Sequence, residues 1–286
     1  MEYVRFGKTG VEVSRLGFGG APAGLTNYLE TYSPHDAQQR RQLIAALHRA
    51  VELGISYFDT AASYGDGASE RIFGEALRGV RDRVFLASKV PLGGERGPRA
   101  IVEASLRNLG CDWLDLVQLH GSSYTSAQVE RILGPGGTLD VLEQLRREGL
   151  VRYLGFTTED QNPAVYRFIE TGRFDVIQLC YNLLFQHPAE PTRPFGSMYE
   201  AERQGMGIVT MRTLTSGLFQ KWVRLVNPAD GFDYSAALLQ FVLSNPMVDV
   251  ALVGMRTPAE VERNVAVAGD LSGRIDIAAL HSKYVS

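Results

Sequence analysis

Two kinds of segment alternate along this sequence and set narrow limits on its fold. Short runs rich in β-branched and aromatic residues are followed by longer segments with the apolar spacing of amphipathic helices. Runs such as VFLASKV and VDVALVG are almost continuously apolar, which is typical of parallel strands covered on both faces. We predict strands at residues 15–19, 55–60, 84–90, 114–120, 153–157, 176–181, 207–212 and 248–254.

Helical segments fill the intervals between these strands. Several are followed by a glycine, at Gly54, Gly79, Gly110 and Gly149, where a left-handed residue commonly ends a helix. Ser69 is a candidate N-cap for the helix that it opens. We predict helices at residues 35–53, 69–78, 99–109, 139–148, 163–170, 198–204, 235–244 and 258–268.

The repeat of eight strand–helix units, about 36 residues each, predicts an α/β fold, a closed (β/α)8 TIM barrel; an open doubly wound sheet is the alternative. Residues 3–13, around Gly7-Lys8-Thr9-Gly10, predict a short N-terminal β-hairpin outside the main sheet. No linker or break in composition divides the chain, so we predict a single domain over residues 1–286. Segments 121–138 and 215–234 are rich in Gly and Pro, and we predict functional loops there.

The charge balance argues against several classes of partner. Lys and Arg number 29 against 32 Asp and Glu, a net charge of -3, which favours neither a nucleic-acid binder nor a polybasic membrane surface. The two cysteines, Cys111 and Cys180, suit a reducing compartment. The N-terminus lacks the apolar run of a signal peptide, and no segment has the length of a membrane span. We therefore predict a cytoplasmic protein with a small-molecule substrate, and nothing in the sequence indicates its oligomeric state.

Four polar residues follow or end successive predicted strands. Asp59 ends the second strand, Tyr64 follows in the next loop, Lys89 lies near the end of the third strand, and His120 ends the fourth. In a parallel barrel the active site lies at the carboxyl ends of the strands, so these side chains should converge. Each could have a structural role alone, but Asp and Lys near the ends of apolar strands are costly unless they are paired.

These residues stand in FDTAASYGDGASERIFGEAL, LASKV and LDLVQLHG, and the three segments together resemble the aldo-keto reductases. The opening RFGKTGVEVSRLGFGG and the late VALVGMRTPAEVERN are also similar to segments of that family. The resemblance implies that Asp59, Tyr64, Lys89 and His120 form a catalytic tetrad. It also implies that Tyr64 donates the proton in reduction and accepts it in oxidation.

The chemistry of carbonyl reduction gives each member of this set a reason. Reduction needs a hydride on carbon and a proton on oxygen, and an unperturbed phenol, with a pKa of about 10, is a weak donor. The Lys89 ammonium would lower the pKa of Tyr64, and Asp59 would keep Lys89 protonated and oriented. His120 would donate a hydrogen bond to the carbonyl oxygen. Tyr64, His120 and Tyr124 are the predicted substrate contacts.

The hydride requires a cofactor, and the usual dinucleotide fingerprint is absent. In Gly17-Phe18-Gly19-Gly20 the third glycine of the fingerprint is replaced by Pro22, and we predict no helix directly after Gly20. The aldo-keto reductases, which this sequence resembles, instead bind nicotinamide cofactors, mostly NADPH, across the barrel mouth. By that resemblance, Gln178 and Thr157 contact the nicotinamide carboxamide, and Met211 replaces a stacking Tyr. The other predicted cofactor contacts at this end are Gly20, Asp59, Arg212, Leu214, Gly217 and Gly254.

The last predicted helix opens with an arginine beside its N-terminus, an arrangement that suits a phosphate. By resemblance, Arg256 binds the adenosine 2′-phosphate and Asn264 contacts the adenine. Glu260 stands where many family members have Gln or Arg, and its carboxylate would repel a 2′-phosphate. We predict NADPH (NADP+) in preference to NADH, because of Arg256.

The predicted function is that of an NAD(P)H-dependent oxidoreductase that reduces an aldehyde or ketone to an alcohol, or oxidises an alcohol or sugar in reverse. One alternative is a barrel lyase or aldolase that uses Lys89 as a Schiff base. Another is a weakly catalytic, cofactor-binding regulatory subunit. The five His residues show no metal-ligand spacing, so we predict no metal site.

Overall fold

The computed structural model describes residues 1–190 and 195–279. Its chain begins with an antiparallel hairpin of β1 (Tyr3–Arg5) and β2 (Glu12–Ser14), joined across a 3-10 turn at Gly7–Thr9. Gly10, with φ of 71°, ends that turn in the left-handed region that glycine adopts most easily. The predicted hairpin is confirmed.

Eight parallel strands then close into a barrel. Each strand pairs with the next along the chain, and the last strand pairs with the first. The predicted (β/α)8 barrel is therefore confirmed, and the open-sheet alternative is wrong. The strands are β3 (Leu16–Gly19), β4 (Tyr57–Asp59), β5 (Phe85–Pro91), β6 (Leu114–His120), β7 (Val151–Thr158), β8 (Val176–Cys180), β9 (Gly207–Met211) and β10 (Val250–Gly254).

The helices surround the barrel, and most of them bury an apolar stripe against it. In the helix that follows β7, for example, Val165, Phe168 and Ile169 are buried. The described helices are α1 (Ala21–Gly24), α2 (Ala37–Glu52), α3 (Ala68–Ala76), α4 (Pro98–Leu109), α5 (Ser126–Leu133), α6 (Thr138–Arg147), α7 (Pro163–Glu170), α8 (Ser197–Arg203), α9 (Leu218–Val226), α10 (Ser235–Leu243) and α11 (Pro258–Gly269).

Three expectations about the helices are wrong. The first is that no helix follows Gly20 directly, because the short α1 starts at Ala21. Ser69 is not an N-cap: α3 starts one residue earlier, after Gly67, and the Ser69 hydroxyl donates to the carbonyl of Gly20 at 2.9 Å. The segments predicted as loops contain α5 and α9. A capping box between Thr125 and Gln128 starts α5, while none of the residues of α9 is buried.

The hydrophobic core has two parts. The larger part lies between the strands and the surrounding helices. The smaller part fills the lower barrel, where Phe6 of the hairpin turn is completely buried and its ring meets those of Tyr57 and Phe85 edge-on, with centroids 5.6 and 5.4 Å away. The amino ends of the strands are thus filled, and the carboxyl ends face an open cleft.

Among the described residues, no helix combines the length and apolar character that a membrane crossing requires.

Candidate active site

The four polar residues predicted at the strand ends meet inside the barrel mouth. Lys89 Nζ donates to Asp59 Oδ2 at 2.5 Å and to the carbonyl oxygen of Thr60 at 2.8 Å. It lies 3.5 Å from the Tyr64 hydroxyl and 5.0 Å from the centroid of the Tyr64 ring. Three donor directions of the ammonium are therefore directed at oxygen atoms, which fixes its position below Tyr64.

His120 stands beside Tyr64 and not beside the ion pair. The two ring centroids are 5.5 Å apart, with the ring planes nearly perpendicular at 85°. The imidazole Nδ1 lies 3.1 Å from Ser63 Oγ. Burial, with a smaller contribution from Lys89, lowers the pKa of His120 to about 3, so the imidazole is neutral at pH 7. A phenol and a neutral imidazole therefore line one wall of the cleft.

Burial dominates the electrostatics of the inner residues. It raises the pKa of Tyr64 above its ordinary value; the Lys89 ammonium lowers that pKa but does not offset burial. The net shift of Tyr64 is therefore upward, although the sequence had suggested a lowering. Burial opposes the charge of Lys89, but Asp59 and Tyr64 outweigh it and raise the pKa of Lys89. Lys89 is a protonated, ion-paired ammonium, and in that state it is not a nucleophile.

The cleft has a volume of about 430 Å³ and opens at the carboxyl ends of the strands. Most of the predicted site residues line it. Those lining residues are Gly20, Asp59, Tyr64, His120, Thr157, Gln178, Met211, Arg212, Leu214, Gly217 and Gly254. Lys89 lies under the cleft floor, with 1 % of its surface exposed.

The two predicted carboxamide contacts, Gln178 and Thr157, differ in the hydrogen-bonding groups that remain available to a ligand. The Gln178 amide Nε2 is 3.9 Å from the Met211 sulfur, a weak acceptor. The Thr157 hydroxyl instead donates to the carbonyl of Gly121 at 2.7 Å and accepts from the Gly121 amide at 3.0 Å. Both hydrogen bonds of the Thr157 hydroxyl therefore connect β7 to the end of β6. Gln178, in contrast, retains a donor beside the cleft.

Tyr124, predicted as a substrate contact, is not among the lining residues of the cleft. Only 3 % of its surface is exposed, and its hydroxyl donates to the carbonyl of Thr157 at 2.8 Å. Its ring packs edge-on against those of Phe156 and Phe168. The structure gives Tyr124 a role in the packing of α7 against the barrel.

Arg212 lies at the cleft mouth, and its guanidinium pairs with Glu159 at 2.8 Å. Its backbone has φ of 57°, and Thr215 and Ser216 also have positive φ. Three non-glycine residues in the left-handed region within five positions are unusual, and such strain concentrates at binding sites. Two of these three residues, Arg212 and Ser216, line the cleft, so the strained backbone lies at its mouth.

Arg256 does not line the cleft, because its guanidinium is held by the segment after α1. It pairs with Glu30 Oε1 at 2.5 Å, and it donates to the carbonyls of Pro22 and Tyr28 at 3.0 Å each. The guanidinium carbon also lies 4.1 Å from the centroid of the Tyr32 ring. The predicted phosphate ligand thus already has a carboxylate partner.

The N-terminus of α11 carries a second carboxylate. Glu260 Oε2 accepts from the amides of Arg256 at 2.6 Å and of Thr257 at 3.0 Å, which completes a capping box with Thr257. Asn264 donates to the carbonyl of Glu260 at 2.9 Å. Two backbone amides that could bind an anion are therefore occupied by the side chain that the sequence marked as unfavourable for a 2′-phosphate.

Sequence reasoning missed three residues at this site. Gln118 bridges Asp59 and Gln178, Ser63 contacts His120, and Glu30 pairs with Arg256. Gln118 could have been found, because it lies two positions before His120 and a strand turns alternate residues to the same face. Glu30 is 226 residues from its partner, and no local pattern links them.

Comparison with known proteins matches the aldo/keto reductase family model to residues 15–233. The chain belongs to the aldo/keto reductase family. It is 32 % identical to methylglyoxal reductase YeaE of Escherichia coli (strain K12) over 268 residues, covering 88 % of each chain. It is 26 % identical to L-galactose dehydrogenase of Arabidopsis thaliana over 306 residues, covering 95 % of this chain and 89 % of the relative.

Solved structures give the same family. An aldo-keto reductase from Klebsiella pneumoniae, crystallised in complex with NADPH, superposes with a TM-score of 0.73 at 26 % identity. The match covers 98 % of this chain and 93 % of that chain. The β-barrel with its surrounding helices is thus shared over nearly the whole length of both proteins.

Proposed function

We propose that this aldo/keto reductase reduces a small aldehyde or ketone to an alcohol, with NADPH as hydride source. The observation that carries the proposal is the cluster of a phenol and a neutral imidazole at one wall of the cleft, with a buried ammonium directly beneath the phenol. The Tyr64 hydroxyl is 3.5 Å from Lys89 Nζ, and the Tyr64 and His120 rings are in edge contact. The relatives named for reductase or dehydrogenase activity support the same reaction class.

In this proposal Tyr64 donates the proton to the carbonyl oxygen. Its raised pKa keeps the phenol protonated at neutral pH, and Lys89 beneath it stabilises the phenolate that remains after transfer. Asp59 holds Lys89 by ion pairing, so the stabilising charge stays at one place. In the oxidative direction Tyr64 accepts the proton again.

His120 orients the carbonyl oxygen. A neutral imidazole has one N–H, and the Ser63 hydroxyl beside Nδ1 can donate to that nitrogen, which leaves the hydrogen on Nε2. A neutral donor polarises the oxygen without competing with Tyr64 for the proton. The low pKa of about 3 supports this role, because the imidazole does not charge in the working pH range.

The cleft residues suit a nicotinamide cofactor. When bound, that cofactor supplies the hydride. Gln178 offers an amide donor for a carboxamide, and Met211 offers an apolar surface for a ring. Arg256 offers a cation for the 2′-phosphate once Glu30 is displaced. The further contacts that we propose are Gly20, Asp59, Thr157, Arg212, Leu214, Gly217, Gly254, Glu260 and Asn264.

Two other functions are less well supported. A Schiff-base enzyme needs a neutral, accessible amine, whereas Lys89 is 1 % exposed, ion-paired and has a raised pKa. A regulatory subunit needs no complete proton-donor cluster. Borohydride trapping on Lys89 in the presence of a carbonyl compound would favour the Schiff-base reaction.

The test is turnover of NADPH with methylglyoxal and with 4-nitrobenzaldehyde, compared between the wild type and Tyr64→Phe. Loss of a positioned general acid lowers rates by about 10²–10⁴, so we expect kcat to fall in that range. Cofactor affinity, measured by fluorescence titration, should stay the same. Full activity of Tyr64→Phe would show that another group donates the proton.

Cytoplasmic location is part of the proposal. The two cysteines, one half-buried and one buried, are free thiols in the structure. Free thiols suit a reducing compartment.

A further inference from the structure

Gln118 occupies a central position that the proposed chemistry does not use. It lies on β6, has 0 % of its surface exposed, and stands between Asp59 and Gln178. Its amide Nε2 donates to Asp59 Oδ1 at 3.2 Å and to Gln178 Oε1 at 2.9 Å. One buried amide therefore connects the ion pair under Tyr64 with the polar side chain beside the cleft.

The orientation of this amide is set by charge. An ionised carboxylate only accepts hydrogen bonds, so Gln118 must turn its amino group toward Asp59. The second hydrogen of the same amino group points to Gln178, whose carbonyl oxygen must accept it. Reversing either amide would place two acceptors against each other in a buried site.

The arrangement has an energetic cost. The carbonyl oxygen of Gln118 is buried and has no hydrogen-bond partner among the described residues. A buried polar atom without a partner is unfavourable, and an apolar side chain at this position would avoid that penalty. The benefit must lie in the two bonds that the amino group makes.

The consequence falls on Gln178. Because Gln118 engages its carbonyl oxygen, Gln178 keeps only its amino group for a ligand in the cleft. That amino group also donates toward the Asp59 carboxylate, which lowers the pKa of Asp59, and its other neighbour is the weak Met211 sulfur at 3.9 Å. Thr157 cannot substitute for it, because its hydroxyl is committed to Gly121. A ligand that meets Gln178 must therefore present a hydrogen-bond acceptor.

We propose that Gln118 is a positioning residue that makes Gln178 a donor-only contact, and that it thereby sets the affinity for the acceptor oxygen of the cofactor carboxamide. This inference rests on the proposed function, since it assigns a nicotinamide cofactor to the cleft. It adds a residue that acts through Gln178 and a chemical preference that the cleft imposes.

The first test compares Gln118→Met with the wild type in binding, not in turnover. Met preserves length and volume but removes both donors. We expect the Kd of NADP+ to rise about tenfold, the effect of losing one well-oriented hydrogen bond. The Kd of 2′-phospho-ADP-ribose, which has no nicotinamide, should be unchanged. Leu116→Met, on the same face of β6, is the matched control and should change neither Kd.

The second test uses the wild type alone, so it does not depend on a variant that folds. The 3-acetylpyridine analogue of NADP+ keeps the carbonyl oxygen and loses the amino group, while the thionicotinamide analogue replaces the oxygen by sulfur, a weaker acceptor. We expect the acetylpyridine analogue to bind about as well as NADP+ and the thionicotinamide analogue to bind several-fold more weakly. In Gln118→Met the two analogues should no longer differ.

Three results would overturn the proposal. They are an unchanged Kd of NADP+ in Gln118→Met, an equal loss for NADP+ and 2′-phospho-ADP-ribose, and a wild type that rejects the acetylpyridine analogue more strongly than the thionicotinamide analogue. Failure of the wild type to bind NADP+ or 2′-phospho-ADP-ribose at all would instead overturn the proposed function, so the two failures are distinguishable.

Discussion

The two ends of the proposed cofactor site are built in opposite ways. At the inner end, strand residues hold one another, and their remaining polar atoms are left toward the cleft: Lys89 is fixed by Asp59, and Gln178 by Gln118. At the outer end, the guanidinium and the helix amides that suit a phosphate are held by the protein's own carboxylates, Glu30 and Glu260.

This contrast follows from the elements that carry the residues. Neighbouring parallel strands fix their side chains through a shared hydrogen-bonded register, and Lys89 and Gln118 are direct partners in that register. The outer end joins a helix N-terminus to the irregular segment around Glu30, where an exposed carboxylate can be exchanged for another anion. We infer that the inner end selects by fixed geometry and the outer end by exchange of anions.

The largest effect should come from breaking the inner end with Lys89→Met. Asp59 would become a buried, unpaired carboxylate, which costs about 3–5 kcal/mol of unfolding free energy. We also expect kcat to fall by about 10² or more, because the phenolate of Tyr64 loses its stabilising charge. Chemical denaturation and steady-state kinetics measure the two effects.

The double variant Asp59→Asn, Lys89→Met separates stability from chemistry. Without a buried charge, most of the unfolding free energy should return, while kcat stays low. Recovery of kcat in the double variant would contradict the role of the ammonium.

The outer end should respond with opposite signs to two substitutions. Arg256→Met removes the cation, and the Kd of NADPH should rise by about 10–100-fold, the range for a charge-assisted hydrogen bond. Glu30→Gln keeps the shape but removes the competing charge, and NADPH should bind a few-fold more tightly. The Kd of NADH should change little in either variant. Equal weakening of both cofactors in Arg256→Met would show that Arg256 serves to hold the segment after α1.

The smallest expected effect concerns pH: we expect no change in kcat/KM from titration of His120. The pKa of His120 is lowered to about 3, so the imidazole has lost its proton well below pH 5 and stays neutral as pH rises. Tyr64 has a raised pKa and remains protonated until the alkaline range. The kcat/KM of carbonyl reduction should therefore be flat from about pH 5 to 8 and fall only above the ordinary phenol range near 10. An acid limb with a midpoint near 6.5 would show that His120 does titrate.

Most of the barrel could be predicted from the sequence, because its strands are buried on both faces and read as apolar runs. The structure places β6 at the predicted residues, and α7 as well. The helices α5 and α9 were missed because flanking Gly and Pro residues dominated the interpretation of their segments. In α9 the apolar residues Trp222, Leu225 and Val226 are exposed, so its pattern has no core to explain it.

The candidate site was predictable where residue type and strand position determine it. Asp59, Lys89 and His120 could be placed at one end of the barrel because parallel strands bring their ends together. The Arg256–Glu30 pair could not, since it depends on how a long irregular segment crosses the barrel mouth. Tyr124 was misplaced for a related reason: an aromatic near a strand end can turn toward the cleft or into the helix layer, and Phe156 and Phe168 draw it inward.

The hairpin turn has one more consequence. Because the Phe6 ring packs against Tyr57 and Phe85, the amino end of the barrel is filled among the described residues, and the cleft opens at the carboxyl ends of the strands. In a cleft that is open at one end, the innermost ligand must bind first and leave last. A ligand that binds beside Gln178 must therefore enter before a ligand that binds above it and leave after it. The closed amino end of the barrel thus sets the order of binding and release.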